Sequence, residues 1–173
     1  MRVEVTDAAD AFHVVRGMFP LYMHDLSPYV GLDVGPDGNF AVPPSLESYW
    51  DAAAMQAGYP FLIRADDALA GFALVRRITV TPAVYDMAEF FVLRKYRRSG
   101  VGRRAADQLF QQFAGDWQVR ELPANLPAQA FWRAVIAAHT ARPVTEGQEF
   151  FAAYGREFVV QRFRTGAAAS GRF

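Results

Sequence analysis

Apolar and polar positions along the chain change period about a third of the way in. Val3–Val5 alternates and predicts a short first strand. Thr6 or Asp7 is placed to cap a helix running to about Met18, and Phe19–Leu26 predicts a second short helix broken before Pro28. Gly31–Pro44, rich in Gly, Pro and Asp, reads as a loop, and Ser45–Trp50 starts another helix behind Pro44. From there strands take over. Phe61–Ile63 and Ala70–Val75 are apolar runs parted by the turn residues Asp66 and Asp67, the pattern of a hairpin. Asp86–Leu93 ends apolar on both faces, as a strand covered on both sides does. Val101, Ala105, Leu109 and Phe113 recur at i+4 in a helix from Gly100, which Gly115 ends. Trp117–Leu122 is strand-like. Ala128, Phe131, Trp132, Val135, Ile136 and His139 form one helical face. Two last strands are expected near Val144–Ala152 and Phe158–Phe163, with a frayed tail over 166–173. This order predicts an α/β (α+β) chain with a mixed sheet and helices on both faces.

Size and composition narrow the chemistry. A chain of 173 residues, 52% hydrophobic and 14% aromatic, can bury one ordinary core. No apolar run reaches the ~18 residues of a membrane span, and Met1–Asp10 lacks the order of a secretory signal. These features predict a soluble cytoplasmic protein without a membrane partner. There is no cysteine, so disulfides, thiolate nucleophiles and thiolate metal sites are excluded. His13, His24 and His139 lack metal-ligand spacing, and no metal is expected.

Net charge is zero but unevenly spread, at −6 over residues 1–86 and +6 over 87–173. Arg94, Lys95, Arg97, Arg98, Arg103 and Arg104 fall in one window without an acid. The window is an anion site or a solvated helix face. A chain of zero net charge with so short a basic window is a poor candidate for nucleic-acid binding.

The window sits where a buried strand turns into a helix that begins with two glycines. Unpaired N–H groups at a helix start, close approach allowed by glycine, and flanking arginines together make a cradle for an anion. No Gly-Lys-Ser/Thr follows, so this is not a P-loop; with Ala105 at the third glycine position and no βαβ order before it, it is not a dinucleotide fingerprint either. Arg97-x-x-Gly100-x-Gly102 after an apolar strand resembles the pyrophosphate-binding signature of the GNAT acyltransferase superfamily. About 25 residues on, Asn125-x-x-Ala128-x-x-Phe131-Trp132 resembles that superfamily's next helix start, beside the pantetheine arm and thiol of coenzyme A. The strong resemblance covers roughly Glu89–Ile136.

The resemblance implies an acyl-CoA N-acyltransferase fold, with a mostly antiparallel sheet of six to seven strands in a single domain over residues 1–165. It implies acetyl-CoA as cosubstrate and a small-molecule or peptide amine as acceptor, attacking directly in a ternary complex; a homodimer is compatible with it. The cofactor residues it implies begin with Phe91, Val92 and Leu93, whose backbone pairs with the pantetheine amides. Arg97, Arg98, Ser99, Gly100, Val101, Gly102 and Arg103 take the pyrophosphate. Asn125, Ala128, Phe131 and Trp132 line the arm and thiol. The Val92 amide is assigned to the thioester oxygen. Glu89 is the first candidate for the base that deprotonates the amine, and Glu121 the second. Either is otherwise a structural carboxylate held by an arginine. Strict alternation puts Glu89 and Val92 on opposite faces, and a bulge at the strand end would change that. Trp132 stands where many relatives have a tyrosine acid, so either another residue protonates sulfur or the thiolate leaves unaided; Tyr85 and Tyr154 have no positional support. The acceptor pocket is expected from Tyr22, Asp25, Tyr29 and Tyr49, with Asp33, Asp37 and Trp50 nearby; Asp33 and Asp37 are also ordinary turn residues.

Overall fold

The computed structural model describes residues 1–51, 53–54, 57–140 and 142–166. Seven strands form one sheet: β1 (Val3–Asp7), β2 (Gly58–Ala65), β3 (Ala68–Thr79), β4 (Val84–Val92), β5 (Asp116–Glu121), β6 (Thr145–Phe151) and β7 (Arg156–Arg164). Their order is β1-β2-β3-β4-β5-β7-β6, and every neighbouring pair is antiparallel except β4–β5. The expected tail over 166–173 lies outside the described residues except for Gly166.

Helix α1 (Phe12–Val30) covers one face of the sheet, through Val15, Met18 and Phe19 against Leu62, Phe72, Leu74 and Phe91. Helices α2 (Val101–Gln112) and α3 (Leu126–His139) cover the other, through Leu109, Phe110, Trp132 and Ile136 against Val75, Met87, Trp117 and Val119. Gln108 of α2 reaches the edge strand β1, accepting from the Val5 amide at 3.0 Å and donating to the Val3 carbonyl at 2.9 Å. A main chain that would otherwise offer itself to another strand is thus occupied.

Three local expectations need correction. The two short helices are one, with Pro20 and Pro28 inside it. Pro28 cannot bond the His24 carbonyl four residues back, and the Ser27 hydroxyl takes that carbonyl instead at 2.8 Å. Thr6 and Asp7 are not caps but the end of β1, opposite Leu62 and Phe61; the helix starts beyond an Asp7 turn in which Oδ1 accepts from the Ala9 amide. Pro44–Tyr49 is a 3-10 turn, closed by the Trp50 amide donating to the Glu47 carbonyl three residues back. The hairpin turn at Asp66 and Asp67 is as expected, both residues having positive φ (46° and 65°), the form that matches strand twist.

Candidate active site

β4 and β5 pair only from Val84↔Asp116 to Met87↔Val119. Beyond Met87, β4 keeps only its β3 partner, and beyond Val119, β5 keeps only β7. A gap therefore opens between two parallel strands in the middle of the sheet. The Leu93 amide donates to the Ala70 carbonyl of β3 at 2.8 Å. Antiparallel alternation then turns the Phe91 amide towards β3 and the Phe90 and Val92 amides into the gap. Gly71, opposite Val92, allows this approach: a Cβ there would lie 1.9 Å from the Phe91 carbonyl oxygen.

The turn after β4 runs from the gap to the start of α2. Arg98 and Gly100 have positive φ (61° and 83°), and α2 has no side-chain cap. Among the described residues, none of the amides from Arg98 to Arg103 donates to another protein group, and the turn is exposed over 97–100. Val101 is buried among Val92, Ala105 and Ile63, which anchors the first turn to the sheet. A Cβ on Gly102 would meet the Phe131 ring at 3.4 Å and Val92 Cγ2 at 3.6 Å. The ends of β4, α2 and α3 therefore meet at Gly102.

The Arg97 side chain is committed inward. Its Nε donates to the Val92 carbonyl at 2.7 Å, and its Nη2 pairs with Asp25. Arg94 holds the same carboxylate, at 3.0 and 2.8 Å. Burial works to raise the Asp25 pKa, but the hydrogen bonds from Arg97 and Arg94 outweigh it and hold the carboxyl below its ordinary value. Asp25 thus ties α1 to the turn. The Arg98 and Arg103 side chains are exposed. Ser99 Oγ donates to the Tyr96 carbonyl, and Arg104 Nη2 donates to the Ser99 carbonyl.

At the start of α3, Asn125 Oδ1 accepts from the Ala128 amide at 3.2 Å, an ordinary cap. Phe131 is half-buried and stacks on Phe90, while Trp132 is buried against Phe90 and Phe110. Trp132 belongs to the core that fixes α3 to the sheet.

Glu89 and Val92 lie on opposite faces. A bulge exists, but at Ala88, where Leu74↔Glu89 is followed by Val75↔Met87. It turns Glu89 to the α1 face, where the Tyr22 hydroxyl donates to Oε2 at 2.6 Å. Burial pushes the Glu89 pKa up to about 7, against the Tyr22 hydrogen bond and the Arg120 charge, which lower it. Burial first, and then Glu89, raise Tyr22 well above the ordinary tyrosine value. Glu121 faces the other way, towards α3, at 3% exposure. Burial and the nearby Glu146 push it to about 8, with Arg133 opposing.

The remaining acceptor candidates divide. Tyr49 is buried, with the Arg76 guanidinium 4.1 Å above its ring. Trp50 donates to the Ala8 carbonyl, and Tyr29 is half-buried on α1. Asp37 accepts from the Asn39 amide within the loop, and Asp33 is exposed. Tyr85 packs on Phe113 and Trp117.

Sequence reasoning missed a buried ion pair beside Glu89. Arg120 donates to Asp86 at 3.1 and 2.6 Å, and Gln118 adds a third bond to that carboxylate. The Arg120 guanidinium lies 5.0, 5.1 and 5.6 Å from the rings of Phe151, Tyr154 and Phe158, tying the β6–β7 hairpin to β5. The available signal was an acid opening one apolar strand and an arginine within the next. A separate cavity of about 620 Å³, lined by Ile78, Asp116, Gln118, Arg142 and Arg164 among others, lies towards the opposite end of β5 and is lined by neither Glu89, Asp86, Arg120 nor Glu121. Among the described residues no three His, Cys, Asp or Glu side chains converge on a metal site, and no helix is long and apolar enough to cross a membrane.

Comparison with known proteins bears on the family and the fold. The profile of the acetyltransferase (GNAT) family matches residues 24–135. No curated protein sequence matches. Among solved structures, an acetyltransferase of the GNAT family from Staphylococcus aureus Mu50 superposes with a TM-score of 0.59 at 11% identity, over 94% of this chain and 99% of that one. A GNAT acetyltransferase from Desulfovibrio desulfuricans gives 0.57 at 15% identity, over 94% and 99%. The ribosomal-protein-S18-alanine N-acetyltransferase from Escherichia coli gives 0.54 at 12% identity, over 99% of both chains. At these identities the likeness is one of fold.

Proposed function

This chain belongs to the acetyltransferase (GNAT) family, and from that premise we propose that it transfers an acetyl group from acetyl-CoA to a primary amine by direct attack in a ternary complex. The observation that carries the reading is the continuity of the unclaimed amides at the α2 entrance with the open β4 edge at Phe90 and Val92. A diphosphate needs the first, and an extended pantetheine arm with two amides needs the second.

In this reading the amides from Arg98 to Arg103 hold the diphosphate, with Arg98 and Arg103 adding charge. Arg97 acts by holding the Val92 carbonyl, which keeps the strand end in place. The Val92 amide donates to the thioester oxygen and stabilises the oxyanion as it forms. Phe131 lines the arm above Gly102. The amine arrives on the α1 face, and Glu89, half ionised near neutral pH, takes its proton. Glu121 faces away from that side and is not the base.

The test is release of free CoA thiol on mixing the protein with acetyl-CoA and a panel of amines, amino acids and peptides. Turnover with at least one amine is expected. Tight CoA binding with silence across the panel would favour a non-catalytic acyl-CoA-binding module, which the apolar setting of Trp132 is compatible with.

A further inference from the structure

Neither carboxyl oxygen of Glu121 has a hydrogen-bond partner among the described residues, although the residue is 3% exposed. A buried carboxyl in that condition either keeps its proton or waits for a ligand. Its position follows from register. Met87 and Val119 are the last partners before β4 and β5 part. Two positions further along β5 stands Glu121, and two positions further along β4 stands Glu89. An uninterrupted β4 would put both carboxyls on one face. The bulge at Ala88 separates them, so they flank the gap at one level from opposite faces of the sheet.

The groups facing Glu121 leave it unpaired. From α3, Gln129 donates to the Leu122 and Pro123 carbonyls, and Arg133 is bound to Glu146 of β6 at 2.9 and 2.7 Å. From β7, Gln161 is the diagonal neighbour, 0% exposed, and its own Oε1 is without a donor. Glu89 is faced by Tyr22 of α1, Tyr49 of the 3-10 turn, Arg76 of β3, Asp86 of β4 and Arg120 of β5. With its pKa near 8, Glu121 holds its proton at neutral pH.

Resting on the acyl-transfer reading, the geometry points to Glu121 as the proton donor to the departing CoA thiolate from the α3 side of the gap. The step balances. The amine nitrogen forms the new N–C bond and gives its proton to Glu89. The C–S bond breaks with its electron pair going to sulfur, which takes the proton of Glu121. Water afterwards removes the proton from Glu89 and returns one to Glu121. A thiol of ordinary pKa, about 8.5, is matched by an acid in the same range.

The experiment follows kcat from pH 6 to 10 for the wild-type chain, Glu121→Gln and Glu121→Asp, using an amine that the wild type acetylates, with CoA affinity measured by calorimetry. Glu121→Gln is expected to lower kcat about 100-fold at neutral pH, to remove the fall of kcat above pH 8, and to leave CoA affinity within twofold. Glu121→Asp, which keeps the proton, is expected to retain the alkaline fall at a reduced kcat. A Glu121→Gln enzyme with unchanged kcat, or with the alkaline fall intact, overturns the assignment. So does a loss of CoA affinity in step with kcat, or an Asp variant no better than Gln, since either marks a structural role. Absence of wild-type turnover would instead overturn the acyl-transfer reading, and this inference with it.

Discussion

The Tyr22 hydroxyl donates to Glu89 Oε2 at 2.6 Å, joining the helix on one face of the sheet to the strand that borders the gap. The bond stabilises the ionised carboxylate and so works against the burial that raises it. Removing the hydroxyl in Tyr22→Phe should move Glu89 above 7. Activity that depends on ionised Glu89 should then begin its rise at higher pH, with kcat falling most at pH 6–7. A pH–rate profile checks this, and an unmoved acid limb would separate Glu89 from the base.

The same carboxyls leave a signature in stability. Glu89 and Glu121 both have folded pKa values above the ordinary 4.5. Such groups favour the folded state below pH 4.5, and that contribution is lost as pH rises through about 7 for Glu89 and about 8 for Glu121. Glu89→Gln and Glu121→Gln should therefore gain stability over the wild type between pH 5 and 9. Denaturant midpoints across that range measure the gain, which should vanish near pH 4.

Gly100→Val combined with Gly102→Val should abolish CoA binding while the sheet survives. Gly100 has φ 83°, where a side chain is strained, and branches at 102 would crowd Phe131 and Val92. Both obstruct approach to the α2 amides. Calorimetry with CoA checks the loss, and far-ultraviolet dichroism checks the fold.

Gly71→Ala tests the other side of β4. Its Cβ would fall 1.9 Å from the Phe91 carbonyl oxygen, a backbone atom that yields only by moving the strand. A loss of about 1–3 kcal/mol is expected from such overpacking. A larger fall in acetyl transfer than in CoA affinity is also expected, because the Val92 amide moves with the strand. Paired denaturation and kinetic measurements separate the two effects.

Asp25→Asn should loosen the turn without touching its amides. Arg94 and Arg97 lose their shared anion, leaving Arg97 with the Val92 carbonyl alone. The expected result is a rise in the KM for acetyl-CoA of several-fold, larger at low salt, where exposed ion pairs count most.

What the sequence determined by itself was local. Period and turn chemistry set most strands, the α2 and α3 helices and the Asp66–Asp67 turn. The spacing of Arg97, Gly100 and Gly102 marked the helix entrance, because a helix start is made by a few consecutive residues. The tertiary structure decided what depends on neighbours distant in the chain. It merged two helices across Pro20, since burial of Met18 and Phe19 outweighed one missing hydrogen bond. It drew Arg97 and Asp25 together across 72 residues, a contact that ties α1 to the turn before α2. It also placed the bulge at Ala88, which sends Glu89 and Glu121 to opposite faces. Alternation within one strand cannot reveal an extra residue, because a bulge exists only relative to the strand beside it.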